Sequence, residues 1–240
     1  MDTILITGAS GGIGAAIART LSAAFPRHAL ALGCHRNRSA AEALAAELGQ
    51  SRPVLVLQGD LGDADTVADF FRETEARLGT VTQLVNCAGQ SHFGLFTDLT
   101  ADRWDALMRV NLRSVFLCCH AALPGMIRKK KGCIINIGSV FGETGASCEA
   151  AYAAAKAGVI GLTKSLAQEE GPSGIRVNCV TPGLIETPMN RRLSPEELAA
   201  FLAEVPLGRP GLPEEVADAV LFLTQNPYVT GTVLQVNGGL

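Results

Sequence analysis

Tyr152 and Lys156 stand four residues apart in Tyr152-Ala153-Ala154-Ala155-Lys156, so on a helix they emerge from one face with no bulk between them. A phenol with a pKa near ~10 transfers protons poorly at neutral pH unless its charged form is stabilised, and a neighbouring ammonium is a group that does so. Ser139 ends an apolar run, where its hydroxyl can donate to a substrate oxygen gaining charge. Asn111 can hold a water or a backbone carbonyl that relays a proton toward Lys156, or can bond within its own helix. Taken together, the four residues suit proton transfer to an oxygen.

A second group of residues suits a phosphate. In Thr7-Gly8-Ala9-Ser10-Gly11-Gly12-Ile13-Gly14 an apolar strand runs into a helix through a turn rich in glycine, where bare backbone and free N–H groups can approach a pyrophosphate. The spacing departs from G-x-G-x-x-G. After the second apolar run, Gly33-Cys34-His35-Arg36-Asn37-Arg38 holds no carboxylate and two arginines, which favours the extra phosphate of NADP(H) over the bare ribose of NAD. Which of His35, Arg36 and Arg38 turns toward that phosphate stays open, as does a solvated basic loop. Asp60, followed by Leu61, either accepts from an adenine amino group or caps the next segment. Asn86-Cys87-Ala88-Gly89 offers small residues against which a flat adenosine can lie, or a plain strand-ending turn.

These residues need a scaffold that gathers them at one edge. Seven short apolar runs read as strands: Thr3 to Thr7, His28 to Leu32, Pro53 to Leu57, Gln83 to Asn86, Cys133 to Gly138, Ile175 to Val180 and Thr232 to Val236. Between them, residues recur at helical spacing over Ile13 to Ala24, Ala40 to Leu48, Ala64 to Leu78, Asp102 to Met126, Ala151 to Glu169 and Pro213 to Thr224. Such alternation predicts an α/β fold, a Rossmann-like doubly wound seven-stranded parallel sheet with helices on both faces and ligands beyond the carboxyl ends of the strands. A single domain over 1–240 is expected, with a lid at about 183–212 built around a short helix at Glu196 to Leu202.

Composition narrows the class. With 48% hydrophobic residues, 18% charged and a net charge of -3, the 240-residue chain has no basic excess for a nucleic acid and no membrane segment is expected. Seven cysteines, an odd number placed mostly in apolar runs, point to free thiols and a cytoplasmic location. Cys118-Cys119-His120 lacks a second ligand pair at zinc spacing, so no metal is expected.

These motifs, in this order over essentially the whole chain, resemble the short-chain dehydrogenase/reductase family. The glycine turn is similar to that family's own variant, Asn86-Cys87-Ala88-Gly89 to its N-x-A-G element and Tyr152 to Lys156 to its Y-x-x-x-K element; Asn111 and Ser139 complete the catalytic tetrad. The resemblance implies NADP(H) held by Gly8, Ser10, Gly11, Gly12, Ile13, Gly14, His35, Arg36, Asp60, Leu61, Asn86, Ala88, Gly89, Tyr152 and Lys156, with Pro182, Gly183, Ile185 and Thr187 closing over the nicotinamide. Gly138-Ser139-Val140, Gly183-Leu184-Ile185-Glu186-Thr187 and Val236-Asn237-Gly238-Gly239 most resemble 3-oxoacyl-[acyl-carrier-protein] reductases, which implies a homotetramer acting in fatty acid biosynthesis. Arg128-Lys129-Lys130-Lys131 resembles the basic carrier-docking cluster beside the mouth in that group, although Pro172-Ser173 stands where a docking arginine is expected. Residues 91–95 and 142–149 are similar to a subgroup that reduces a 5-aminopentanone on a lysine of translation elongation factor P, for which Glu143 and Glu149 would pair with the terminal ammonium. Ser139, Glu143 and Tyr152 are the expected substrate contacts.

Overall fold

The computed structural model describes residues 2–188 and 194–240. In chain order its main elements are β1 (Thr3–Thr7), α1 (Gly12–Ala24), β2 (Ala29–Cys34), α2 (Arg38–Leu48), β3 (Val54–Gln58), α3 (Ala64–Leu78), β4 (Val81–Asn86), α4 (Ala101–Met108), α5 (Ser114–Lys129), β5 (Gly132–Ile137), α6 (Phe141–Thr144), α7 (Ala150–Glu170), β6 (Ile175–Pro182), α8 (Pro195–Ala203), α9 (Pro213–Gln225) and β7 (Val233–Val236). The seven strands form one parallel sheet in the order β3-β2-β1-β4-β5-β6-β7.

Alternation along the strands explains why both faces are covered. Ile4 and Ile6 of β1, with Leu30 and Leu32 of β2, pack into an apolar cluster with α1, α2 and α9. Leu5, Ala29 and Ala31 point the other way, against Phe70 and Phe71 of α3, Val115 and Met126 of α5, and Val159 of α7. Every residue of β1 and β2 is buried, at roughly 1.5–3 kcal/mol for each large aliphatic side chain, which fixes the register. Helix starts follow local chemistry: Asn37, Asp63 and Thr100 accept from Ala40, Thr66 and Arg103 N–H groups, and Ser194 forms a capping box with Glu197.

Three features depart from the periodicity. The single helix expected over Asp102 to Met126 is interrupted by a π turn at Arg109–Arg113, where the ladder widens by one residue around buried Asn111. Two strands extend beyond the expected limits, β4 starting at Val81 and β6 reaching Pro182. The four-residue helix α6 arises directly after Ser139. Its apolar signal is too short to read.

Stretch Ala101–Lys129 is apolar and long enough to cross a membrane by composition, yet 50% of its most apolar window is buried in the protein, as a core helix requires. Cys118 and Cys119 face that core, whereas His120 lies against Phe116 at the surface. All seven cysteines are free thiols, and among the described residues no three His, Cys, Asp or Glu side chains gather as a metal set.

Candidate active site

Strand order reverses at β1, which pairs with β2 on one side and β4 on the other, and the crevice beyond their carboxyl ends is where such sheets take a ligand. The glycine turn lines it. Gly8 has φ +67°, Gly11 donates to its carbonyl at 3.0 Å, and Ala9 donates to Gly33 at 3.0 Å. A Cβ at Gly8 would come 2.9 Å from the Ala88 backbone, and one at Gly14 would collide with the Gly8 carbonyl. Only glycine fits these two positions.

Helix α1 starts at this turn without a capping side chain, unlike α2, α3 and α4, and with no acid in its first turn, unlike α3 and α4. Its leading N–H groups and positive dipole end therefore face the crevice, the environment a pyrophosphate needs. Ser10 sits within the turn and Ile13 in the first turn of α1, and Gly12 faces Thr187, whose methyl a Cβ would meet at 3.1 Å. The cradle thus fits a dinucleotide, with bare backbone on one side and the segment after β6 on the other. Thr7, which the motif reading passed over, joins the parts: its hydroxyl accepts from Cys87 and Ala88 N–H at 3.0 and 3.1 Å.

At the adenosine end, His35 and Arg36 are exposed after β2, and the His35 carbonyl accepts from Gln58 at 3.0 Å. Arg38 is engaged with Glu42 at 2.7 Å. It also lines a concavity of about 430 Å³ at the outer edge of β3 with Gln58, Phe70 and Arg77, away from Tyr152. Asp60 accepts from Gly62 N–H at 2.9 Å and from Arg109; its carboxyl is held below the usual range by these bonds and by the Arg109 and His35 charges, against the opposing pull of burial. Asp63, rather than Asp60, caps α3. Leu61 is buried in the apolar cluster under α3.

Beyond β4 and β5 the proton-transfer residues come together. Burial pushes the Tyr152 phenol up to about 12, a hydrogen bond with Ser139 draws it down in part, and nearby Glu149 and Cys87 raise it further. Ser139 Oγ also accepts from Phe141 N–H at 3.2 Å, so α6 orients it. Lys156 is 4% exposed, donates from Nζ to the Ile137 carbonyl at 2.8 Å and lies 5.7 Å from the Tyr152 ring centre. Burial lowers its pKa. The downward pull expected of Lys156 is not among the causes of the phenol's shift: of the chain's own groups only Ser139 lowers it, and desolvation prevails.

Asn111 accepts from Gln90 N–H at 3.0 Å and donates to the carbonyls of Gln90 and Leu107 at 2.9 and 3.0 Å. Both alternatives read for it are present in part, since one bond stays within its helix and two clamp the segment after Gly89. A Cβ at Gly89 would lie 3.0 Å from Asn111 Oδ1 and 3.4 Å from Lys156 Nζ, so these residues converge. Asn86 is different: its amide donates to Asn136 at 2.9 Å, and Asn136 donates to Thr163, forming a buried network beneath the site. The Asn86 side chain is buried, and its Oδ1 has no hydrogen-bond partner in that network.

The segment after β6 closes the crevice. The Pro182 carbonyl accepts from Val140 N–H, Gly183 donates to Val236 and approaches Asn237 too closely for a side chain, and Ile185 turns into the cluster beside α9. Of the expected lid, residues 189–193 lie outside the described residues. Helix α8 follows, with Phe201 edge-on to Phe141 at 6.1 Å. Glu143 is exposed on α6 and accepts from Gln235 at 2.9 Å, while Glu149 immediately precedes α7.

The basic run is elsewhere. Lys129 and Lys131 bond to Asp2 at 3.4 and 2.6 Å, and the run precedes β5 as Asp2 precedes β1, so it lies at the amino edge of the sheet and not beside this chain's mouth. The parallel topology puts strand starts and strand ends at opposite edges. Pro172 and Ser173 lie at the same amino edge, in a short 3-10 turn before β6.

Comparison with known proteins agrees with this geometry. A family described as Enoyl-(Acyl carrier protein) reductase matches residues 8–240. The chain is 43% identical to 3-oxoacyl-[acyl-carrier-protein] reductase FabG of Escherichia coli (strain K12), over 98% of this chain and 96% of that protein. It is 42% identical to Uncharacterized oxidoreductase YmfI of Bacillus subtilis (strain 168), over 99% and 98%. To Nodulation protein G of Rhizobium sp. (strain N33) it is 44% identical, over 98% and 95%.

Proposed function

The chain belongs to the short-chain dehydrogenase/reductase family, close to the 3-oxoacyl-[acyl-carrier-protein] reductases, and from that premise we propose that it reduces a carrier-bound 3-oxoacyl ketone to a secondary alcohol with NADPH, in the cytoplasm. The observation that supports this best is the meeting of Ser139, Tyr152 and Lys156 at the carboxyl edge of the sheet, next to the glycine cradle.

Gly8, Ser10, Gly11, Gly12, Ile13 and Gly14 would hold the pyrophosphate, His35 and Arg36 the additional phosphate, Asp60 and Leu61 the adenine, and Asn86, Ala88 and Gly89 the adenosine side by their backbone. Tyr152 and Lys156 would hold the nicotinamide ribose, with Pro182, Gly183, Ile185 and Thr187 over the carboxamide. When bound, the nicotinamide supplies a hydride to the carbonyl carbon. Ser139 Oγ donates to the carbonyl oxygen and orients it, and Tyr152 transfers its phenolic proton to that oxygen as negative charge develops. Burial keeps the phenol protonated for this step. Lys156, fixed by Ile137, faces the resulting phenolate with its ammonium.

One observation favours a second substrate of the same reaction. Glu143 stands exposed by the mouth, bonded to the neutral amide of Gln235 and to no cation among the described residues. A 5-aminopentanone on elongation factor P would bring an ammonium to it. A single panel tests both: acetoacetyl-carrier and aminopentanone-modified factor, each with NADPH and NADH, using the natural protein and Tyr152→Phe. NADPH-dependent turnover of the acyl substrate is expected, with a loss of roughly 100- to 10,000-fold in Tyr152→Phe and retained NADPH binding. Full activity in Tyr152→Phe would remove the assigned acid, and preference for the modified factor would reverse the substrates.

A further inference from the structure

Arg109 is used by none of the motifs, yet it joins two parts of the site. It lies at the first position of the π turn, two residues before Asn111, and its guanidinium reaches across to Asp60 after β3: Nε at 3.2 Å and Nη2 at 3.0 Å, both to Oδ2. The aliphatic part of the same side chain packs over Gly62, where a Cβ would collide with it. Arg113, at the other end of the turn, donates to the Gly62 carbonyl at 3.1 Å. The β3–α3 connection is therefore held from the π turn.

The hydrogen bonds leave Asp60 with a defined remaining capacity. Oδ2 takes two donors from Arg109 and Oδ1 takes the Gly62 N–H, so an acceptor position on Oδ1 is left for a further donor. Side chains of the pair are 45% and 39% exposed, and ion pairs at that exposure contribute little to folding stability. Orientation and charge are what the contact changes. A bare carboxylate at this edge would oppose an approaching polyanion, and the guanidinium offsets it.

We infer that Arg109 is a positioning residue for dinucleotide binding: it fixes Asp60 to receive the adenine amino group and cancels its charge beside the phosphates. The inference rests on the dinucleotide reading above. It extends that reading to a side chain outside the family motifs, carried by the turn that also holds Asn111.

Equilibrium titration with NADPH, followed by nicotinamide fluorescence, tests it on the full chain with Arg109→Gln, Arg109→Lys, Asp60→Asn and the Asp60→Asn/Arg109→Gln double variant. Arg109→Gln is expected to raise Kd by roughly threefold to tenfold, and Arg109→Lys to give an intermediate rise because it keeps charge but loses the fork. The double variant should bind no more weakly than Asp60→Asn alone, since Arg109 acts through the carboxylate. Unchanged Kd in Arg109→Gln, or losses that simply add, would overturn the role. If Arg109→Gln does not fold, an unchanged Kd in Arg109→Lys overturns it equally. A natural protein that binds neither NADPH nor NADH would instead remove the proposed function, and this inference with it.

Discussion

Tyr152 sits in surroundings that keep its proton on, and the consequence differs for the two directions of a ketone–alcohol interconversion. Reduction consumes the protonated phenol, which a pKa raised to about 12 maintains across the neutral range. Oxidation needs the phenolate, whose fraction below that value grows tenfold for each pH unit. The expected profile is a reductive kcat/KM that does not fall between pH 6 and 9 through this group, beside an oxidative kcat/KM that climbs with unit slope over pH 7 to 10. Initial rates in both directions measure it, and an oxidative plateau near pH 8 would mean that a positive charge absent from the chain's own side chains sets the phenol. The pair Tyr152 and Lys156 was legible because helical geometry alone brings i and i+4 to one face. Their balance was not, since desolvation depends on what covers the phenol and ammonium in three dimensions. Arg109 left no signal either, for its partner Asp60 is 49 residues away and nothing in a single sequence marks that pairing.

Elements carry these residues, and their spacing is set by small side chains. Alternation of apolar runs with helical periods identified seven strands and their flanking helices because β1, β2, β4, β5 and β6 are buried on both faces and the edge strands β3 and β7 pack apolar residues into the same clusters. The π turn at Arg109–Arg113 escaped that reading, as one extra residue in a ladder leaves the apolar spacing nearly intact. So did α6, one turn long. Yet α6 orients Ser139, and it can do so only because Gly142 lets it approach α7: a Cβ there would fall 2.8 Å from the Lys156 carbonyl carbon and 2.9 Å from Ala157 N, both backbone atoms that cannot swing aside. Gly142→Ala should therefore push α6 off α7, costing about 1–3 kcal/mol in stability and displacing the serine from the phenol. Urea denaturation gives the first effect and kcat for ketone reduction the second. An alanine variant with undiminished stability and kcat would show that this close approach is not what sets Ser139.

At the scale of the whole molecule, the sheet's polarity separates the chemistry from the basic run at its opposite edge, and the exposed helix faces bear on assembly. Helix α7 presents Ala154, Ala157 and Gly161 to solvent, and a Cβ at Gly161 meets no atom of this chain within 4 Å. Phe116 of α5 is 47% exposed beside His120. Apolar side chains and small residues on helices that flank the site are the surface on which the homotetramer implied by family resemblance would form, since small residues allow helix axes to come close. Light scattering should then give a mass about four times 25.0 kDa. Gly161→Leu discriminates between a free face and a covered one. Within one chain the new side chain has open space and replaces a residue that weakens helices, so the folded subunit should be kept. Across a close helix–helix contact it has none, so the assembly should fall to smaller species. A leucine variant that keeps the mass of the natural protein would place any contact between copies on another surface, and a natural protein of 25.0 kDa in solution would remove the tetramer altogether.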